Sequence, residues 1–210
     1  MKHLIRKLDP KLLAMRNINP KDLIQVNTRT GKQVTKAINA VHARVNKASN
    51  QKIMKQIIKL HNKGSYDNAS FAKLYSLVDK YVEAVIKPSS VCQKGCGQCC
   101  HVNTDVSYPE ALYIAANTRR DINFSPKSRG DNERCTFLGD DMSCTIYEYR
   151  PLVCRTFHAV DNWEECYIKD NPHHIFGIGS SVVIAELQKH LSNAPNDYLV
   201  GYTDINGWFN

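Results

Sequence analysis

Cys92-Gln93-Lys94-Gly95-Cys96-Gly97-Gln98-Cys99-Cys100 places four thiols within nine residues, and this run decides what holds the second half of the chain together. Gly95 and Gly97 give the backbone freedom to wrap all four side chains round one centre. Packing gives no reason for such density. Cys99 and Cys100 are poor disulfide partners for each other, because a disulfide wants α-carbons about 5.5 Å apart, whereas both can face a metal from a tight turn. Cys135, Cys144, Cys154 and Cys166 follow, with 8, 9 and 11 residues between successive members. Eight thiolates fill two tetrahedral four-ligand sites, or one site with a reserve of thiols for a second role.

Composition sets the context for these cysteines. The 210 residues are 42% hydrophobic and 23% charged, ordinary for a globular protein and enough for one medium domain or two small ones. No run approaches the roughly 18 uninterrupted apolar residues of a membrane helix. The opening Met1-Lys2-His3-Leu4-Ile5-Arg6-Lys7 lacks the apolar core of a secretory signal, so a cytoplasmic protein is expected. Thiols there stay reduced, and dense cysteines point to metal or catalysis rather than to a disulfide framework.

Working outward toward the N-terminus, the chain reads as helical. Phe71, Leu74, Tyr75, Val78, Val82 and Val85 line one face of a helix that must end before Lys87-Pro88. Ile53, Met54, Ile57, Ile58 and His61 repeat the pattern, with Asn50 as the expected cap and Gly64 as the stop. Val34, Ile38, Val41 and Val45 mark a further helix after a turn at 28–31. Asp9-Pro10 and Asn19-Pro20 look like caps with proline at the first helical position, giving short helices over 10–16 and 20–26. In the other direction, Ser107-Tyr108-Pro109-Glu110 is a capping box opening a helix to about Arg119. Residues 121–133 read as a loop. Residues 135–147 read as a β-hairpin bringing Cys135 and Cys144 close together, and Pro151 starts a turn carrying Cys154. A last helix runs from Ile178 to Leu191, and a tail with Tyr198, Tyr202, Trp208 and Phe209 folds back on the core. The expected class is α+β, mainly α. A basic helical bundle over 1–89 precedes a small metal-stabilised cysteine-cluster domain over 90–170, and 171–210 pack on the core.

Charge divides the same way. Residues 1–90 hold 18 Lys and Arg against 5 Asp and Glu, an excess of 13 positive charges; the rest holds 10 against 15, leaving the overall +8. Lys32, Lys36, Arg44, Lys47, Lys52, Lys55, Lys59 and Lys63 fall between the apolar positions of two helices. A positive face of that kind attracts phosphates, so nucleic acid is a candidate partner, with an acidic protein or the acidic half of the same chain as the competing one. Thr30-Gly31-Lys32 is no phosphate loop, since the other glycine and the hydroxyl residue after Lys are missing.

The Cys-x3-Cys-Gly-x-Cys-Cys run, Cys135-Thr136-Phe137-Leu138, and Cys144-Thr145-Ile146-Tyr147-x2-Arg150-Pro151-x2-Cys154-Arg155 together resemble the zinc- or iron-chelating cysteine-cluster family over about residues 90–167. The resemblance implies that Cys92, Cys96, Cys99, Cys100, Cys135, Cys144, Cys154 and Cys166 are the metal-binding set. Some relatives are iron–sulfur proteins or are similar to flagellin lysine methylases. The competing function is therefore a metal-dependent enzyme modifying a protein or nucleic-acid side chain, with Tyr147, Arg150 and Arg155 lining its site, although no paired carboxylates, nucleophile motif or cofactor loop is present.

Four thiolates around a divalent metal leave a charge near −2 that a buried site must offset. Arg150 and Arg155 flank Cys154 and are expected to donate N–H bonds to sulfur. His101 and His158 sit near cysteines, but with eight thiols neither is needed as a ligand, and His173-His174 are expected at the surface. Spacing does not separate zinc from iron. Structural zinc usually takes two separated Cys-x2-Cys knuckles, and the compressed run is closer to the clustered thiolates of an iron–sulfur centre.

Overall fold

A computed structural model describes residues 29–64, 67–92, 96–124, 134–162, 166, 173–177, 180–192 and 202–209. The short helices expected over 10–16 and 20–26, and most of the expected loop at 121–133, lie outside the described residues. Helices α1 (Gly31–Val45), α2 (Ala48–His61) and α3 (Asn68–Val85) form the bundle. Their apolar stripes supply Val41, Met54, Ile57, Phe71, Tyr75, Val78 and Val82 to one core. Thr30 and Gln33 build a reciprocal capping box on α1, where the sequence suggested only a turn. The expected cap of α2 is displaced: the helix begins three residues earlier, after Lys47, and Asn50 is buried within it, donating Nδ2–H to the Arg44 carbonyl at 2.8 Å. Gly64 adopts φ +64°, the left-handed conformation that closes the turn beyond α2.

After a 3-10 turn at Lys87–Ser89 and another at Gln98–His101, strand β1 (Asp105–Ser107) leads into α4 (Tyr108–Thr118) through the expected capping box. A short helix α5 (Leu152–Thr156) precedes β2 (His158–Ala159), which pairs antiparallel with β3 (Ile175–Phe176). Helix α6 (Val182–Ser192), strand β4 (Tyr202–Asp204) and helix α7 (Ile205–Phe209) complete the described chain. β4 pairs antiparallel with β1, Val106 opposite Thr203.

Two apolar cores result. The bundle core also takes Leu152, Val160, Phe176, Ile184, Leu187 and Leu191, so segments on both sides of the cysteine run share it. The second core gathers Val106, Ala111, Ile114, Phe137, Leu138 and Ile146 with Ile205, Trp208 and Phe209 of the tail. Between them Glu110, 1% exposed, is a hub. Its Oε2 accepts from the Ser107 amide and hydroxyl at 3.0 and 2.7 Å, and Oε1 from Tyr75 Oη–H at 2.7 Å and the Leu152 amide at 2.8 Å. One carboxylate thereby fixes α3, α4 and α5 relative to each other.

Candidate metal centre

The 3-10 turn carries Cys99 and Cys100 against the segment beginning at Cys135, whose amide donates to the Cys100 carbonyl at 2.8 Å. Gly97 makes this approach possible. A Cβ there would stand 2.9 Å from both the Met142 carbonyl oxygen and Cε, and 3.0 Å from Leu138 Cδ1. The hairpin expected over 135–147 is a tight reversal with a single antiparallel bridge, Leu138 to Cys144, braced by Thr145 N–H donating to the Phe137 carbonyl at 2.8 Å. It is too short for a ladder, yet it brings Cys144 back beside Cys135. Both sulfurs pack with Cys100 against the second core.

Cys154 rides on α5, with Pro151 as its N-cap. Cys92 lies beside β2: the Val91 amide donates to the Ala159 carbonyl at 2.9 Å, and the Ala159 amide donates to Cys92 Sγ at 3.3 Å. All eight cysteines are free of disulfides. Their mutual electrostatics sort them into two groups that meet at Cys99. Cys154 feels Cys99, Cys135 and Cys144, while Cys166 feels Cys96, Cys92 and Cys99.

Cys100 is hydrogen-bonded to Cys135 and to Cys99. The bond from Cys100, opposed by burial and assisted by the Arg150 charge, lowers the Cys99 thiol to about 7. Cys100 itself is raised, chiefly by its bond to Cys135. Burial raises Cys144 and Cys154 and pushes Cys166 up to about 12. Among the described residues no three His, Cys, Asp or Glu side chains are already arranged round a metal position. The donor chemistry nevertheless fits a thiophilic metal: the eight free thiols are soft donors that give up their protons on binding.

The two arginines part company. Arg150 stays with the cysteines: its charge bears on Cys99, Cys144 and Cys154, its guanidinium lies 3.8 Å over the Tyr147 ring, and its Nε is buried with no hydrogen-bond partner. Arg155 turns away, correcting the expectation that it donates to sulfur. It is 1% exposed, pairs with Asp79, donates to the carbonyls of Glu148 and, from Nε at 2.7 Å, Arg150, and lies 4.2 Å over the Tyr75 ring. Neighbours on a short helix face different sides, and Asp79 of α3 waits on the far one.

His158 is buried with Nδ1 3.0 Å from Ser90 Oγ; burial, reinforced by Arg150, holds it down at about 4, so it is neutral. His174 is exposed as expected, but His173 is largely covered and meets Asp161 Oδ1 at 3.1 Å. Asn206 was not foreseen. Its Nδ2–H donates to the Arg134 carbonyl at 2.8 Å and its Oδ1 accepts the Thr136 amide at 2.8 Å, clamping the backbone on both sides of Cys135. The available signal was Asp204, whose Oδ1 accepts the Asn206 amide at 3.0 Å as the cap that turns the tail into α7.

Residues 91–174 match the family model described as "CxxCxxCC: Putative zinc- or iron-chelating domain", a span that contains every cysteine of the chain. Residues 1–90 lie outside the match. No curated protein and no solved structure matches the chain.

Proposed function

With a match to a zinc- or iron-chelating domain covering all the thiols, we propose that the eight cysteines are the metal ligands, in two sets. Cys99, Cys100, Cys135, Cys144 and Cys154 form one; Cys92, Cys96 and Cys166 form the other. Iron, as an iron–sulfur centre, is the preferred metal. The observation that carries this is Arg150, a cation with a buried unpartnered donor set against three thiols. A thiolate–metal centre leaves excess negative charge, and the half-buried guanidinium of Arg150 offsets it. Bound iron and sulfide would supply one-electron transfer. The protein's part is to hold the sulfurs, balance their charge and cover Cys100, Cys135 and Cys144 with the second core.

Anaerobic purification with metal analysis tests the reading. Iron with inorganic sulfide and a broad absorption near about 400 nm are expected. A colourless protein holding zinc overturns the iron preference and keeps the chelation. Cys100→Ser and Cys166→Ser test the division: each should lose only part of the metal. Complete loss in both variants points to a single centre, and full occupancy in both removes them from the ligand set.

A second role is proposed for the basic bundle, nucleic-acid docking. Lys52, Lys55 and Lys59 run down one side of α2 and, with Lys63 in the turn beyond it, are exposed, as are Lys32, Lys36 and Lys47, and none forms an ion pair among the described residues. Arg44 leaves the set, since it donates to the Val85 carbonyl at 2.7 Å and to Ser89 Oγ at 2.6 Å. Binding of duplex DNA or structured RNA by the metal-loaded chain should weaken steeply with salt, by about 0.9 log units per contact per decade on DNA. No binding at about 50 mM salt would sink this role. The enzyme reading keeps Arg150 with the thiols, Tyr147 stacked on it, and loses Arg155 from that wall.

A further inference from the structure

On the side of α5 away from the thiols lies an open cavity of about 710 Å³. Its floor is one face of α3, where Ala72, Ser76 and Ala84 keep the space clear. Tyr75, Tyr113 and Tyr149 form its walls, and Asp79, Glu83 and Glu148 supply carboxylates, of which Glu83 is paired with Lys87. The volume falls in the range of small-molecule sites, roughly 300–1,000 Å³.

The functional groups decide what fits. Arg155 lines the cavity but is committed to Asp79, to two backbone carbonyls and to the face of Tyr75, so it offers an incoming anion little. The Tyr75 hydroxyl is turned inward to Glu110. Lys80 is the other cation on the lining. Two open carboxylates therefore face one uncommitted cation: Glu148 is exposed, and Asp79 keeps 42% of its side chain open despite its partner. Asp79, Glu148, Tyr149 and Arg155 all act on the Tyr113 hydroxyl, so they converge on one space. The Tyr75 face is taken by Arg155 and Tyr113 is buried, which leaves the partly buried Tyr149 ring beside the carboxylates, an arrangement that favours an alkylammonium or guanidinium group.

We propose that this cavity is a binding site for an organic cation, a guanidinium or alkylammonium such as a basic side chain presents. The site does not depend on the metal reading, since no cysteine lines it.

Calorimetric or NMR titration of the metal-loaded chain with arginine amide and tetramethylammonium tests the assignment, with acetate as the control anion. Saturable binding of at least one cation and none of acetate is expected. Three exposed positions give signed checks. Lys80→Glu should tighten cation binding by about 3-fold and Glu148→Lys should weaken it by a similar factor, as single exposed charges do. Ser76→Trp should abolish it by filling the floor. Circular dichroism of each variant separates site loss from unfolding. Absence of saturable cation binding, or binding indifferent to all three well-folded variants, overturns the proposal.

Discussion

Arg150 and Arg155 are five residues apart in one short stretch, and their surroundings assign them opposite duties. Removing Arg150 should spare the fold and loosen the metal: Arg150→Ala is expected to release it to a chelator roughly 10-fold faster at unchanged stoichiometry. Removing Arg155 should do the reverse, since its guanidinium fills space over Tyr75 and satisfies carbonyls that would be left bare. Arg155→Ala should lower stability by about 2–4 kcal/mol with chelator release unchanged, measured by denaturant titration alongside the release assay. Equal release rates in the Arg150 variant and the parent would cut Arg150 from the site. His158 provides a pH signature. Its folded-state value near 4 lies below the ordinary 6.5, so the folded protein resists protonating it. Stability is then full above about pH 6.5 and falls as pH drops toward 4, by about 3 kcal/mol over the window. His158→Asn should flatten that fall by a similar amount in denaturant titrations between pH 7 and 4.

Elements written by local pattern were legible in the sequence. The spacing of Phe71, Tyr75, Val78 and Val82 gave α3, and Ser107 with Glu110 gave the start of α4, because caps and apolar stripes act within a turn or two. What escaped depends on distant partners. Asn50 looks like a cap by type, but the carbonyl of Arg44 draws it inside the helix. The pairing of β1 with β4 joins residues about a hundred positions apart, and two three-residue strands carry no alternation to read. Of the site, the cysteines were visible as a set, whereas the direction of Arg155 was fixed by Asp79, an unremarked acid on another helix. Two substitutions probe the contacts that seat the cluster. Gly97→Ala puts a methyl against the Met142 backbone, so the Cys99–Cys100 turn must shift, and metal content should fall although every thiol remains. Asn206→Ala frees both sides of Cys135 and should speed metal release while costing about 1–3 kcal/mol for the donor and acceptor left bare. Unchanged release in both would show that the sulfurs hold their places without these contacts.

At the scale of the molecule the bundle and the cysteine segment are not two beads. Leu152 of α5, two residues before Cys154, shares a core with Ile57 of α2 and with Leu187 and Leu191 of α6. A cavity made in that core should therefore be felt at the metal. Leu187→Ala, at a side chain 1% exposed, is expected to cost about 2–5 kcal/mol and to quicken metal release in proportion. Lost stability with untouched release would mean that the two regions open separately.

The clamp on Cys135 also has a timetable. Asn206 follows Thr136 by 70 residues, and at a synthesis rate of roughly 5–20 residues per second the cysteine precedes its clamp by about 4–14 s. For the last 40 of those residues, roughly 2–8 s at that rate, all eight thiols have been made while their final cradle has not. The thiols are thus made before the residue that clamps Cys135, so on the proposed reading metal loading and thiol oxidation would compete over those seconds.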